Sequence, residues 1–148
     1  MNKLIFSLIF ALGSTLTWAQ TSDADAILGT WLNEQEDAKI EVYKEKNKYY
    51  GKIIWLKNDK NDDGSSPKLD SRNPDPKLKV RPIIGTIILK DLIWDKPDNE
   101  WDDGEIYDPK SGNTYSLYAK LQNANSLFLK GYIGFAVIGR STIWSRVK

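Results

Sequence analysis

Eight short strand-like segments follow one another along this chain, and no amphipathic helix separates them. In residues 113–121, Tyr115, Leu117, Ala119 and Leu121 alternate with more polar residues. This period of two is typical of a strand with one buried face. The candidate strands are residues 27–32, 38–44, 49–56, 83–94, 101–107, 113–121, 126–133 and 140–147. An all-β meander of this size must form a sandwich or a closed barrel.

The two ends of the chain favour the barrel. A barrel has no free edges because its first and last strands pair. Trp31 lies in the first candidate strand, after Gly29, and Arg146 lies in the last. An arginine over the indole face would close the barrel there, and Arg140 is the alternative partner. We therefore predict an all-β, eight-stranded antiparallel meander closed into a barrel. Its one long loop, residues 58–82, joins the third and fourth strands.

The first 19 residues have the features of a secretory signal peptide. Lys3 precedes an apolar stretch, residues 4–12, and small residues suited to cleavage end at Ala19. The apolar stretch is too short to span a bilayer. We predict that residues 1–19 are a signal peptide, that residues 20–148 form a single domain, and that the protein is periplasmic or secreted.

Residue types that are missing exclude several classes of function. The chain has no cysteine, which excludes disulfides and attachment of a lipid through cysteine. It has no histidine, which removes the commonest general base and zinc ligand. Loss of Lys3 with the signal leaves 20 basic and 20 acidic side chains. A nucleic acid or an anionic membrane surface requires a basic excess, so we expect neither as the main partner. We also expect no membrane span.

Several short motifs recur in this order in a bacterial family. They are Gly29-Thr30-Trp31, Tyr49-Tyr50-Gly51-Lys52-Ile53, Asn73-Pro74-Asp75-Pro76, Arg81-Pro82-Ile83-Ile84-Gly85, Ile106-Tyr107-Asp108-Pro109, Gly112-Asn113-Thr114-Tyr115 and Gly131-Tyr132-Ile133-Gly134. Together they resemble domain-of-unknown-function family 2147, over nearly the whole mature chain. The resemblance implies a small exported protein with a lipocalin-like β domain, and it assigns no activity to the chain. Gly29, Trp31 and Arg146 also resemble the wider calycin superfamily, whose members often hold a small apolar ligand.

The long loop contains a possible calcium site. Asp59, Asn61, Asp63 and Asp70 stand at the first, third, fifth and twelfth positions of a calcium-loop spacing, with Gly64 at the sixth. This spacing places oxygen ligands at alternate positions around a sharp turn. However, Asp replaces the usual glutamate at the twelfth position, and no helices flank the loop. A solvated turn that needs Asp and Gly for its backbone geometry explains the same residues.

Aromatic residues suggest a cavity for a ligand. Trp55, Trp94, Tyr107 and Tyr115 could line it, and Arg81 could bind a carboxylate. The alternatives are ordinary strand packing for the aromatics and an internal ion pair with a loop aspartate for Arg81.

Three functions are compatible with these features. The leading prediction is non-covalent binding of a small apolar ligand in the barrel, without catalysis. The second is an envelope module with a side-chain-filled barrel that binds a protein or a glycan through its long loop. The third is a hydrolase that uses carboxylates, although no spacing identifies an acid and a base and no catalytic residue is assigned.

The calcium hypothesis predicts a change in thermal stability. Because a ligand that binds only the folded state stabilises it, millimolar calcium should raise the melting temperature, and a chelator should reverse the rise. Thermal denaturation followed by circular dichroism measures this, and an unchanged melt would exclude the site.

Overall fold

The computed structural model describes residues 23–134 and 139–148, and the predicted signal peptide lies outside them. Its eight antiparallel strands form a closed barrel in chain order, which confirms the predicted fold. A short 3-10 helix, η1 (Asp23–Ile27), precedes the barrel. The strands are β1 (Gly29–Leu32), β2 (Ala38–Glu45), β3 (Lys48–Leu56), β4 (Ile87–Asp95), β5 (Glu100–Asp108), β6 (Asn113–Asn123), β7 (Ser126–Tyr132) and β8 (Gly139–Arg146). The long connection between β3 and β4 is also confirmed. None of the described helical residues forms a helix that could cross a membrane.

The barrel closes between β1 and β8. Trp31 is paired with Arg146, and Leu32 with Ser145. The Arg146 guanidinium lies over the Trp31 ring, 4.2 Å from its centroid. The same side chain donates hydrogen bonds of 2.7 Å to the carbonyl oxygens of Ala26, Leu28 and Ala124. Arg146 therefore joins three segments: η1, the start of β1 and the β6–β7 turn.

Gly29 is required by the position of this arginine. It has a φ of 127°, which is unfavourable for other residues, and a Cβ atom here would lie 2.9 Å from Arg146 Nη1. Two indoles of the barrel anchor η1, since Trp31 Nε1 donates a hydrogen bond to Ile27 O and Trp101 Nε1 donates one to Ala24 O. The 3-10 helix η1 therefore covers one end of the barrel, and carbonyl groups of its backbone accept hydrogen bonds from the two indoles and from Arg146.

Bulges change which side chains face the interior. In β5 the pairing with β6 shifts between Trp101, which pairs with Ala119, and Gly104, which pairs with Leu117. A second shift occurs between β2 and β3. Ile40 of β2 pairs with Ile53 of β3, whereas the preceding residue of β2, Lys39, pairs with Trp55. A bulge inserts one residue, so strict alternation fails beyond it.

Two local features differ from the sequence-based prediction. The first strand begins at Gly29 rather than at residue 27, because residues 23–27 form η1. The fourth strand begins at Ile87 rather than at Ile83, because residues 83–86 form a turn in which Thr86 N donates to Ile83 O and Gly85 has a φ of 94°. The apolar run continues through this turn because Ile83 packs in the core.

The closure predicts a large cost for removing Arg146. Arg146→Ala should lower the free energy of unfolding by about 2–4 kcal/mol, since it removes three charge-assisted hydrogen bonds and a cation–π contact. Arg146→Lys should recover little of the loss, because one ammonium cannot replace the planar guanidinium. Urea unfolding measures both.

The control is Arg72→Ala at an exposed loop arginine, for which a change within about 0.5 kcal/mol is expected. Equal decreases in the free energy of unfolding for Arg146→Ala and Arg72→Ala would contradict the role of Arg146 in closing the barrel.

Candidate functional site

The two ends of the barrel differ. The end covered by η1, called the closed end, also carries the β2–β3, β4–β5 and β6–β7 turns. The other end, called the open end, carries the β1–β2 and β5–β6 turns, the long loop and the β7–β8 connection. Part of that last connection, residues 135–138, lies outside the described residues.

The closed half of the barrel is filled by large side chains. Trp31, Trp101 and Trp144 are buried there. Backbone and side chains are in close contact in this half, since a Cβ atom on Gly104 would lie 2.6 Å from a methyl carbon of Leu92. Such packing fills the interior of the barrel between Leu92 and the backbone of Gly104.

The inner wall of the open half can be followed from the strand register. Leu117 is fully buried and pairs with Gly131, which pairs in turn with Arg140. Directly opposed residues share a face of the sheet, so all three positions face inward. Ile106 and Tyr115 pair with each other, and both lie beside Gly131, 3.5 Å from where its Cβ atom would be. Unlike Gly104, Gly131 therefore has room for a side chain.

Two polar residues on this wall have side chains without a hydrogen-bond or ion-pair partner in the described part of the chain. Thr142 pairs with the fully buried Leu129 and so faces inward. Its Oγ1 is buried and forms no hydrogen bond with any residue in the described part of the chain. Arg140 is exposed and takes part in none of the ion pairs or side-chain hydrogen bonds found among residues 23–134 and 139–148. We call Ile106, Tyr115, Gly131, Arg140 and Thr142 the mouth residues.

The long loop is fixed to the barrel by a buried polar network. The Asp70 carboxylate, which has no solvent exposure, accepts hydrogen bonds from Tyr107 Oη at 2.5 Å and Asn73 Nδ2 at 2.8 Å. It also accepts from Arg81 through Nε at 3.0 Å and Nη2 at 2.9 Å. Burial and the adjacent Asp70 carboxylate raise the pKa of Tyr107 to about 12. The network therefore keeps the phenol protonated and holds the loop against β5.

This network lies outside the barrel. Tyr107 is two residues from Glu105, which is exposed and pairs with exposed Lys90, so Tyr107 is on the outer face. The long loop covers it. Between the loop and the outer wall lies a cavity of about 170 Å³, lined among others by Leu78, Arg81 and Ile88.

The structure distributes the five predicted ligand-binding residues over separate places. Tyr115 is at the mouth. Trp94 lines a cavity of about 180 Å³ at the closed end, with its ring 4.6 Å from that of Trp101. Tyr107 and Arg81 are brought together at the outer wall, and Arg81 is paired with Asp70. Trp55 is 39% exposed on the outer face, where Lys39 lies over its ring. The ligand-binding role of these residues remains a prediction.

The four residues of the calcium spacing are also in different surroundings. Asp59 accepts a hydrogen bond from Lys68 N, Asn61 from Leu69 N, and Asp63 from Ser65 N. Asp70 is engaged in the Tyr107 network. Across the described residues, no group of three or more acidic side chains is placed to hold a metal ion. These contacts suit a loop ordered by its own backbone N–H groups, and calcium binding remains a prediction.

Sequence reasoning did not identify Thr142 as a functional candidate, and considered Arg140 only as a partner of Trp31. A signal was present: Arg140, Thr142 and Trp144 are alternate residues of one strand, so a buried Trp144 implies that all three face inward. Only the three-dimensional structure shows that the Thr142 hydroxyl has no hydrogen-bond partner within residues 23–134 and 139–148.

Comparison with known proteins agrees with this architecture. Residues 29–146 match the model of family DUF2147, described as uncharacterized protein conserved in bacteria. The chain belongs to this family. Among solved structures it is similar to a Helicobacter pylori protein described as "Protein HP1028 from the human pathogen Helicobacter pylori belongs to the lipocalin family". The two share 26% identity with a TM-score of 0.67, over 82% of this chain and 83% of the other. No curated protein matches the chain.

The Asp70 network predicts a specific dependence of stability on pH. The pKa of Tyr107 is higher in the folded protein, about 12, than the ordinary value of 10. The resulting stability is fully present below pH 10 and is lost as the pH rises towards 12. Relative to Tyr107→Phe, the wild type should lose about 2–3 kcal/mol across that interval. Urea unfolding from pH 8 to 12 measures the difference, and parallel curves for the two proteins would contradict it.

Proposed function

We propose that the protein is an exported, non-enzymatic carrier or sensor that holds one small, mainly apolar molecule at the open end of its barrel. The main support is the change in burial along the inner wall. Leu117 and Leu129 are fully buried, whereas Ile106, Tyr115 and Thr142 are only half-buried. A partly exposed, concave and largely apolar wall is a surface that a small molecule can cover.

Export is supported by the sequence of residues 1–19, which lie outside the described part of the chain. The chain's membership of DUF2147 and its likeness to a structure assigned to the lipocalin family support a binding role through the fold. The barrel is well suited to this role, because η1 and Arg146 cover the closed end and leave the opposite end as the point of entry.

A second candidate is an interaction module that uses the long loop. It is supported by the anchoring of this loop through Asp70 and by Val80, which is 73% exposed beside the anchored residue Arg81. A fixed loop with an exposed apolar side chain is suited to contact with another protein or with a glycan.

The ligand-binding proposal predicts that filling the mouth blocks binding. The neutral fluorescent probe N-phenyl-1-naphthylamine should bind the wild type with a saturable 1:1 stoichiometry. Gly131→Val should weaken this binding by about tenfold or more, which corresponds to about 1.4 kcal/mol. Because the position accommodates a Cβ atom and valine favours strands, the melting temperature should not fall. Fluorescence titration measures the affinity.

The matched control is Ser141→Val, which adds a side chain of the same kind to the outer face of neighbouring β8. It should leave the affinity for the probe unchanged. Absence of saturable binding to the wild type, or equal weakening in both variants, would overturn the proposal.

A further inference from the structure

We propose that the ligand carries an acidic oxygen head group, a carboxylate or a phosphate ester, and that Arg140 and Thr142 bind this group at the mouth. This inference rests on the proposed function and names the chemistry of the same site.

The position of Arg140 is the first observation. Its strand partner Gly131 lies between it and the fully buried Leu117, so Arg140 belongs to the inner wall although its side chain is exposed. Gly131 presents no side chain towards it, and a Cβ atom at this position would lie 3.8 Å from the Arg140 carbonyl oxygen. The remaining inward neighbours of Gly131 are Ile106 and Tyr115, and neither of them is an aspartate or a glutamate. The Arg140 guanidinium has no counter-ion among the described residues, and a bound anion would supply one.

The Thr142 hydroxyl is the second observation. Its Oγ1 is buried and has no partner among the described residues. Buried polar groups are nearly always hydrogen-bonded, and one left unpaired lowers stability. Thr142 follows Arg140 by two residues on the same face of β8, so the two side chains are about 7 Å apart along the strand at their attachment points. One small head group can contact both.

These donors select the charge of the ligand. Arginine donates to anionic oxygens in a planar, often bidentate arrangement, and the threonine hydroxyl can donate to a further oxygen. A cationic head group would be repelled, and a neutral alcohol would lack the charge-assisted bond. The adjoining Ile106 and Tyr115 provide the wall for the apolar part of the ligand.

A displacement experiment with eight-carbon compounds tests the head group. Octanoate, octyl phosphate, octanol and octylammonium are each titrated against the protein with bound N-phenyl-1-naphthylamine. At least one of the two anions should displace the probe about 10–100-fold more effectively than octanol, the value of one or two charge-assisted hydrogen bonds. Octylammonium should be the weakest. The better of the two anions identifies the head group as a carboxylate or a phosphate ester.

Two variants assign the effect to residues. Arg140→Met should abolish the preference for the anion while leaving displacement by octanol unchanged. Its control is Lys130→Met, which also removes one positive charge. Lys130 precedes Gly131, the strand partner of Arg140, and its side chain is on the outer face, where it pairs with Ser141. Thr142→Val should weaken anion binding and raise the melting temperature, because it removes a buried unpaired hydroxyl. A residue with only a structural role would not give these opposite changes.

The outcomes separate this inference from the proposed function. If octanol and both anions displace the probe equally, or if Lys130→Met alters the preference as much as Arg140→Met, the head-group assignment is overturned while binding at the mouth stands. If the probe does not bind at all, the proposed function itself fails. An anion preference that is lost only in Arg140→Met and reduced in Thr142→Val supports the assignment.

Discussion

The contact between Arg146 and Trp31 determines the shape of the whole molecule. A single guanidinium lies over the indole and donates to carbonyl groups of η1, of Leu28 just before the first strand, and of the β6–β7 turn. It joins parts of the chain separated by up to 120 residues. Because a barrel without this seam would have two exposed strand edges, the contact both closes the sheet and fixes which end is covered. Gly29 is part of the same arrangement, since a side chain there would occupy the space of the guanidinium.

Covering one end divides the interior into two regions with different packing. In the closed half, large indoles fill the barrel and glycines such as Gly104 lie against leucine side chains. In the open half, Gly131 has room for a Cβ atom, and the Thr142 hydroxyl has no hydrogen-bond partner among the described residues. The Asp70–Tyr107 network holds the long loop against the outer wall of the barrel. The proposed place for a ligand therefore follows from the packing rather than from any catalytic motif.

The pattern of the sequence was sufficient for the order and number of the strands, because most of them alternate and tight turns separate them. It was not sufficient for the site. Trp101 and Tyr107 are six residues apart and alternation places them on one face, yet Trp101 faces inward and Tyr107 outward because β5 has a bulge between them. The same reason separates Ile53 from Trp55 in β3. Of the residues predicted to bind a ligand, Tyr115 alone belongs to the mouth residues, since the strand that carries it stays in register with β5 around that position.

The sequence by itself determined the all-β meander, the long loop and the pairing of the first strand with the last, because these depend on local periodicity and on the need to remove sheet edges. Only the tertiary structure decided which face each aromatic residue occupies, where the long loop rests and which polar groups lack a partner. Bulges, loop anchoring and hydrogen-bond partners depend on contacts between residues far apart in the chain, and local periodicity carries no record of them.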